Sequence, residues 1–363
     1  MLSPGPQVCR SGEVSPAALE SWAVDDPRWL RFLQSQPEAT PFHHPAWSNV
    51  LTSSYGHRAF VLALRDADGN LIAGLPVLAM EGIRKRPRFW ALPFTDHCPP
   101  LASSSVSLAL FTDRLAHWQE ADGVARIAVH GALAESAGVT LVTRAVRHVL
   151  PLSRSSDQVF ESFRSSSVRT AIRKAQRQGL EARIGRSLED LAPFYRLHLR
   201  TRRRLGVPAQ PIRFMEALWK EMLAAGLGFL VLATYRDKPI AAALFLSWNR
   251  NLIYKFGASD PRYWNLRPNN LVIWTAIDWA CRHGYRMLDF GRTDFDNQRL
   301  RDFKERWGSL ELPLVYSYVG QPPSDPISTF GARALATVIR SCPLLVCQLM
   351  GEVFYQHMVP NVS

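Results

Sequence analysis

Phe229-Leu-Val-Leu-Ala-Thr-Tyr-Arg-Asp-Lys-Pro-Ile-Ala-Ala-Ala-Leu-Phe-Leu246 reads as two β-strands joined by a tight turn. Apolar runs of seven residues flank Arg236-Asp-Lys-Pro239, and polar residues with proline between such runs are turn chemistry. An earlier stretch repeats the wording. Phe60-Val-Leu-Ala-Leu64 meets the turn Arg65-Asp-Ala-Asp-Gly-Asn70 and continues as Leu71-Ile-Ala-Gly-Leu-Pro-Val77. The two hairpins lie about one domain length apart, which predicts an internal duplication of a mixed α/β unit.

Working outward from the second hairpin, Leu252-Ile-Tyr-Lys-Phe-Gly257 is a further strand. A loop from Ala258 to Pro268 leads to a helix over Asn269–His283, which Gly284 ends, and Tyr285-Arg-Met-Leu-Asp-Phe290 is the next strand. Upstream, Asp157 is placed to cap a helix, Ser165-Ser-Ser167 interrupts it, and a second helix runs through Val168, Ile172 and Ala175 to Gly179. Helices over Leu188–Arg204 and Ile212–Ala225 follow. Residues 1–40 read as an irregular lead-in around a short helix. From Ser324 on, two helical runs break at Pro343, and the second carries Leu345, Leu349 and Val353 near one side. This tail reads as docking on the body or lying on a membrane surface. The division expected is 1–150, 151–322 and a helical tail over 323–363.

The chain has 363 residues, 47% of them hydrophobic and 20% charged, and 11 tryptophans. These are globular values for two domains with an appendage. Lys and Arg number 43 against 31 Asp and Glu, a formal net charge of +12, which favours phosphate-bearing ligands, nucleic acid or an anionic membrane face. Five scattered cysteines without a CxxC indicate neither a disulfide framework nor a zinc ribbon, so no metal is expected and a reducing compartment fits. The N-terminus, Met1-Leu-Ser-Pro-Gly-Pro6, has no apolar signal region, and no run is long enough for a transmembrane segment. The expected location is the cytoplasm, with peripheral contact to an anionic inner membrane.

Four constellations could carry chemistry. Arg169, Arg173 and Arg177 recur every fourth residue, with Lys174 beside them; such a stripe can hold phosphates or be a solvated face. Thr201-Arg-Arg-Arg204-Leu-Gly206 ends a helix, and its diverging arginines can aim one or two guanidinium forks at a pyrophosphate. In Asp294-Phe-Asp-Asn-Gln-Arg-Leu-Arg-Asp-Phe-Lys-Glu-Arg-Trp-Gly308, Asp294 or Asp296 is expected to cap a helix whose buried face is Leu300, Phe303 and Trp307. Lys304 flanks that face, where a cation is costly unless it meets an anion or stabilises an oxyanion. Finally, Leu92-Pro-Phe-Thr-Asp-His-Cys-Pro-Pro100 offers Asp96 and His97 as general bases on a proline-fixed loop. Neighbours in an extended segment point apart, so His97 and Cys98 form no dyad. There is no nucleophile elbow, no Walker loop and no dinucleotide fingerprint. Direct transfer between two bound substrates remains.

Several of these stretches resemble one family. They are the Arg169–Gly179 helix, Tyr254-Lys-Phe-Gly-Ala-Ser259, the proline-led helix from Pro268 to Gly284, Leu288-Asp-Phe-Gly291 and Phe303-Lys-Glu-Arg-Trp-Gly308. In this order they resemble the FemAB-related transferases of the N-acetyltransferase (GNAT) superfamily, in the BioF2-like or CelD-like subgroup tied to exopolysaccharide biosynthesis. The Leu92–Cys98 segment and the Cys342-Pro…Val346-Cys…Gly351 tail are similar to that subgroup too. The resemblance implies an α/β (α+β) fold of tandem GNAT-like domains, each a mixed, mostly antiparallel sheet flanked by helices, with an acceptor cleft near their junction. It implies that Arg204 and Tyr254 bind a nucleotide- or lipid-linked precursor, that Lys304 serves catalysis or donor handling, and that Asp96 is the proposed base. Arg267-Pro-Asn-Asn-Leu271 stands where the family's acetyl-CoA loop would be. Backbone amides at that helix start can hold an anion, which adds Asn269 and Asn270, with Trp307 of the closing motif, to the expected binding residues beside Arg169 and Arg173.

The expected activity is acyl or aminoacyl transfer to an amine or hydroxyl of a cell-envelope glycan, exopolysaccharide or peptidoglycan precursor. Lys304, Asp96 and Tyr254 would be catalytic, no cofactor would be tightly bound, and acyl-CoA (acetyl-CoA) or aminoacyl-tRNA would be the co-substrate. The rival readings are a non-catalytic tRNA- or nucleic-acid-binding module and a peripheral membrane factor of polysaccharide export.

Overall fold

A computed structural model describes residues 19–80, 87–322 and 329–357, with backbone alone for Arg144, 329–334 and 353–357. Cys9 and the rest of residues 1–18 of the N-terminal lead-in, and both ends of the expected tail, lie outside the described residues, as do the side chains of Val353 and Phe354. The chain begins with β1 (Leu19–Trp22), α1 (Pro27–Ser35) and α2 (Pro45–Tyr55), so the lead-in contains a strand as well as the expected helix. Asp26 and His44 cap the two helices, each with proline at the start, where a missing N–H costs nothing. The first hairpin is β2 (Arg58–Arg65) and β3 (Leu71–Met80), its turn closed by Asp66 accepting from the Asn70 N–H at 2.8 Å. Then come β4 (Arg88–Trp90), β5 (Leu101–Ala102), α3 (Ser105–Ala121), β6 (Arg126–Val129) and the long β7 (Val139–Pro151).

The second half follows the same plan. After α4 (Ser156–Ser162) and α5 (Ser166–Arg177) come β8 (Glu181–Gly185), α6 (Leu191–Leu205), α7 (Ile212–Leu218), β9 (Gly228–Tyr235), β10 (Lys238–Trp248) and β11 (Asn251–Ser259). Next are α8 (Pro268–Arg282), β12 (Met287–Asp294), α9 (Gln298–Glu305), β13 (Leu310–Gly320), α10 (Thr329–Ser341) and α11 (Leu344–His357). Two caps differ from expectation. Ser155, not Asp157, caps α4, and Asn297, not Asp294 or Asp296, caps α9. Asp294 is instead the last residue of β12, ion-paired to Arg292 at 2.7 Å. Ser165 caps α5, whereas α4 has already ended at Ser162, so the serine run starts the second helix and does not itself stop the first.

All the described strands join one sheet, ordered β1-β2-β3-β4-β6-β13-β7-β12-β11-β10-β9-β8 with β5 on β3. The order is nearly symmetric about its centre: an edge strand, a hairpin and a further strand flank each end. In each half a parallel pair is bridged by a helix: β4 with β6 through α3, and β11 with β12 through α8. The strands that follow are exchanged. β7 leaves the first half to pair with β12, and β13 returns from the second half to pair with β6. The two then pair with each other from Val139↔Val319 to Val149↔Leu310, so the junction is continuous backbone hydrogen bonding.

The sheet's two faces carry separate cores. On one face, α6 and α7 of the second half meet α2 of the first, and Trp47, Val50 and Leu51 pack with Phe194, Phe214 and Leu218. On the other, α4, α5 and α8 cover β9 to β12 around Val168, Ile172, Ile277 and Trp307. The helical tail docks on α6: Cys347 and Ile339 are buried, Arg340 donates to the Leu205 carbonyl at 3.3 Å, and Glu352 pairs with Arg213 at 3.6 Å. Gly351 lies so close to Ala209 that a Cβ would come within 2.1 Å of its carbonyl oxygen. No helix among the described residues is long and apolar enough to cross a membrane.

Candidate active site at the junction of the two halves

Both parallel pairs are short. β4 meets β6 at three positions, Arg88↔Arg126 to Trp90↔Ala128, and β11 meets β12 at three, Asn251↔Met287 to Ile253↔Asp289. Beyond these points the strands part. In the first half the gap is refilled by the chain itself, because the Cys98 N–H returns to the His130 carbonyl at 2.8 Å. In the second half no strand among the described residues refills it: Tyr254, Lys255 and Phe256 face Phe290, Gly291 and Arg292 across an unpaired seam. The first half's loop, Leu92–Pro100, reaches that seam. Leu92 and Phe94 hold left-handed φ angles of 53° and 61°, a conformation that costs on the order of 1–3 kcal/mol for ordinary side chains and needs surrounding contacts to persist. Those contacts are present: the Trp47 indole donates to Thr95 Oγ1 at 2.9 Å, and Lys255 Nζ donates to the Phe94 carbonyl.

The loop sets the Asp96 carboxylate against the backbone of β12. The Arg292 N–H points to Asp96 Oδ2 at 3.4 Å. Gly291 has φ +72°, and a Cβ there would sit 2.5 Å from the same oxygen. The residue must therefore be glycine both for its backbone angle and for this close approach. The Tyr254 carbonyl would lie 3.9 Å from that Cβ, so Asp96 occupies the seam itself.

Cations surround it. Lys304 is only 4% exposed and donates to the Gly291 carbonyl at 2.8 Å and the Arg292 carbonyl at 3.1 Å. Two of its three N–H bonds are thereby fixed on the bulge that seats Asp96. Burial brings its pKa down to about 8, against the pull of Asp96, Asp289 and Asp294. Lys255 projects from a β-bulge between Leu244 and Phe245 of the partner strand. Its ammonium lies 5.1 Å and 5.2 Å from the rings of Phe42 and Trp47, within cation–π range. Burial lowers its pKa as well, and Asp96 opposes the shift. Asp289, behind the seam, pairs with Arg147 at 3.2 Å and accepts the Gly291 N–H at 2.7 Å. Its burial nonetheless raises its pKa. Tyr254 is held by Phe245 and Phe290, and burial lifts its phenol to about 12. His130, its ring tilted against that of Tyr316 at 4.8 Å, is buried and depressed to about 4, hence neutral. The arrangement is a carboxylate between two buried ammonium groups, one of them poised near neutral pH.

A cleft of about 400 Å³ opens on the α8 side of this seam. The first turns of α5 (Ser166, Ser167, Val168) and α8 (Asn270) line it, with Lys174, Arg267, Arg306 and Phe303, the neighbour of Lys304. Two helix N-termini and three cations give it a positive potential. No carboxylate lines it, and none of the three cations is in an ion pair among the described residues.

The expected site residues thus separate. Lys304 and Asp96 come together at the seam, and Asn270 lines the cleft; Tyr254 reaches the seam with its backbone carbonyl, while its phenol packs on Phe245 and Phe290 with the hydroxyl over Gly257. Asn269 is half-buried in the same first turn of α8. Arg169 and Arg173 lie elsewhere: Arg169 donates to the Glu161 and Phe163 carbonyls at the end of α4, and Arg173 covers the Phe160 ring at 5.2 Å. Both guanidinium groups serve the α4–α5 contact, while Lys174, one residue on, faces the cleft. Trp307 is fully buried among Phe163, Phe290 and Phe303, a core position with no access for a ligand. Arg204 stacks on Trp264 at 4.8 Å, and the Trp264 indole donates to Ser259 Oγ at 2.8 Å. This places Arg204 at the far rim of β11, about 17 Å along the strand from Tyr254. His97 is buried in the loop with its Nδ1 unpartnered and burial holds it neutral; among the described residues no His, Cys, Asp and Glu group could hold a metal ion. Lys255, Asp289 and Arg147 were not singled out by sequence. The only signal for Lys255 is a cation inside an otherwise apolar strand.

Residues 162–305 match the acetyltransferase (GNAT) domain family. No curated protein sequence matches the chain significantly. Among solved structures, FemX superposes with a TM-score of 0.65 at 14% identity, over 82% of this chain and 96% of its own. The C-terminal domain of a putative lysylphosphatidylglycerol synthetase from Agrobacterium fabrum gives 0.53 at 12% identity, over 92% and 98%. A tandem GNAT protein from the clavulanic acid biosynthesis pathway gives 0.50 at 13%, over 85% and 100%. At such identities these likenesses speak for the fold. Residues 162–305 thus match an acetyltransferase (GNAT) domain, and the chain as a whole has the fold of a tandem GNAT protein and superposes on FemX.

Proposed function

We propose that the protein is an acyl- or aminoacyl-transferase in which donor and acceptor meet at the β11–β12 seam. The donor's phosphates lie in the cleft between the starts of α5 and α8, where Lys174, Arg267 and Arg306 make no ion pair among the described residues. Its carbonyl reaches past Phe303 to the seam. There Asp96 accepts a proton from the attacking amine or hydroxyl, and the buried Lys304 ammonium lowers the energy of the negative charge that develops on the carbonyl oxygen. The nucleophile–carbonyl bond forms as the donor's thiolate or ribose oxygen leaves with a proton. Arg204 and Trp264, at the outer end of β11, suit the phosphate or sugar of a lipid- or nucleotide-linked envelope precursor. The similarity to FemX and to a structure named for lysylphosphatidylglycerol synthesis supports envelope chemistry, and keeps aminoacyl-tRNA beside acyl-CoA as donor.

The observation that carries this reading is Asp96 of one half seated on Gly291 and Arg292 of the other, between Lys255 and Lys304. Calorimetric titration of the purified protein with acetyl-CoA, and separately with alanyl-tRNA, tests it. One of the two donors binds, Lys174→Glu with Arg267→Glu weakens that binding at least tenfold, and Asp96→Asn leaves binding intact while abolishing transfer to an envelope extract. Binding of neither donor would remove the proposal's basis.

A further inference from the structure

The docked tail has two apolar faces, and only one of them touches the body. Ile339 and Cys347, 1% and 2% exposed, meet where α10 turns into α11, with Cys347 Sγ 3.4 Å from the Ile339 carbonyl. That inner face lies on α6, with Gly351 against Ala209. The outer face carries Leu345, Leu349 and Val338, exposed by 75%, 64% and 53%, and Val346. Leu345 and Leu349 stand one helical turn apart, and Leu205 at the end of α6 adds a further exposed apolar side chain. Docking explains the inner face and leaves the outer one without a partner among the described residues, in a segment where soluble helices put charge.

Among the described residues the charges nearby have one sign. Arg340 is exposed beside Leu205, and Arg203 and Arg204 of the α6 end stand next to it. The acidic residue of α11, Glu352, is turned inward to Arg213. Apolar side chains edged by unopposed arginines fit a surface that is apolar inside and anionic at its boundary. We propose that the outer face of α10 and α11 docks on an anionic lipid bilayer. Because Arg204 stacks on Trp264 at the rim of β11, the docked protein turns the outer end of its seam toward the headgroups. This last point rests on the transferase reading and gives its acceptor a class: one carried on a lipid.

Flotation of the full chain with vesicles tests the docking without any reaction. The protein floats with vesicles of phosphatidylglycerol and phosphatidylcholine, floats at least tenfold less with phosphatidylcholine alone, and is released by high salt. Leu345→Glu with Leu349→Glu lowers the bound fraction at least tenfold. Its circular dichroism and thermal midpoint stay those of the wild type, since neither side chain is buried. Wild-type protein that does not float, or a double variant that floats equally, overturns the proposal. So does a wild-type dimer in sedimentation that the double variant dissolves, because the face would then be a self-interface. Donor binding in solution is measured independently, so loss of one reading leaves the other standing.

Discussion

Replacing Lys304 by methionine separates the charge of this side chain from its volume. Burial brings the ammonium's pKa from 10.5 down to about 8, so across that interval the unfolded chain binds a proton that the folded chain does not. Stability must then rise with pH through the window. The group's contribution is fully present above 10.5 and is lost as pH falls through about 8. Integrated from about pH 7.5 to about pH 9.5, the rise is about 2 kcal/mol. In Lys304→Met it disappears, while titrating groups common to both proteins cancel in the difference. The variant folds, because orphaning the Gly291 and Arg292 carbonyls, at about 1–3 kcal/mol each, is offset by removing a buried charge. Urea denaturation of both proteins at several pH values reads the effect. Parallel stability–pH curves would refute the desolvated-ammonium picture. Transfer activity follows with the opposite sign. If the cation stabilises the oxyanion, wild-type turnover falls as pH rises through about 8, and the variant is slower by about two to three orders of magnitude at neutral pH.

Gly291→Ala forces a Cβ to within 2.5 Å of Asp96 at a left-handed backbone angle; it lowers stability by about 1–3 kcal/mol and abolishes transfer, read by urea denaturation and turnover. Asn297→Ala removes the side chain that accepts the Leu300 N–H, costing about 0.5–2 kcal/mol, whereas Asp296→Ala changes the denaturation midpoint little. Gly351→Val drives a side chain into the Ala209 carbonyl and undocks α11, so limited proteolysis cuts the chain near Pro343 while the remaining body stays intact.

Much of this could be read from local patterns. The paired hairpins, the serine-capped α5, the proline-led α8 and the strand through Leu288–Phe290 each carry turn, cap or period signals within a few residues. Lys304 stood out because a cation beside Phe303 and Trp307 violates the helix's own pattern. What was not legible depends on contacts distant in sequence. Lys255 points where it does because a bulge shifts its register against β10, and a cation in an otherwise apolar strand does not by itself say where the side chain goes. The Arg169 and Arg173 stripe has the spacing of an anion site, yet α4 arrives over it and takes both side chains, leaving Lys174 to face the cleft. Trp307 belongs to a motif that suggests a ligand contact and serves as core. Asp294 has the chemistry of a cap, but β12 runs long enough to absorb it.

The reciprocal placement of β7 and β13 sets the order in which the molecule can be completed. While the polypeptide emerges from the ribosome, β6 waits with an open edge until Leu310–Gly320 has been synthesised and can slide in beside it. The halves consequently cannot be finished one after the other, as beads on a string are. Severing the chain between them would leave each fragment lacking a central strand, so the pair should melt and refold as one unit despite its duplicated plan.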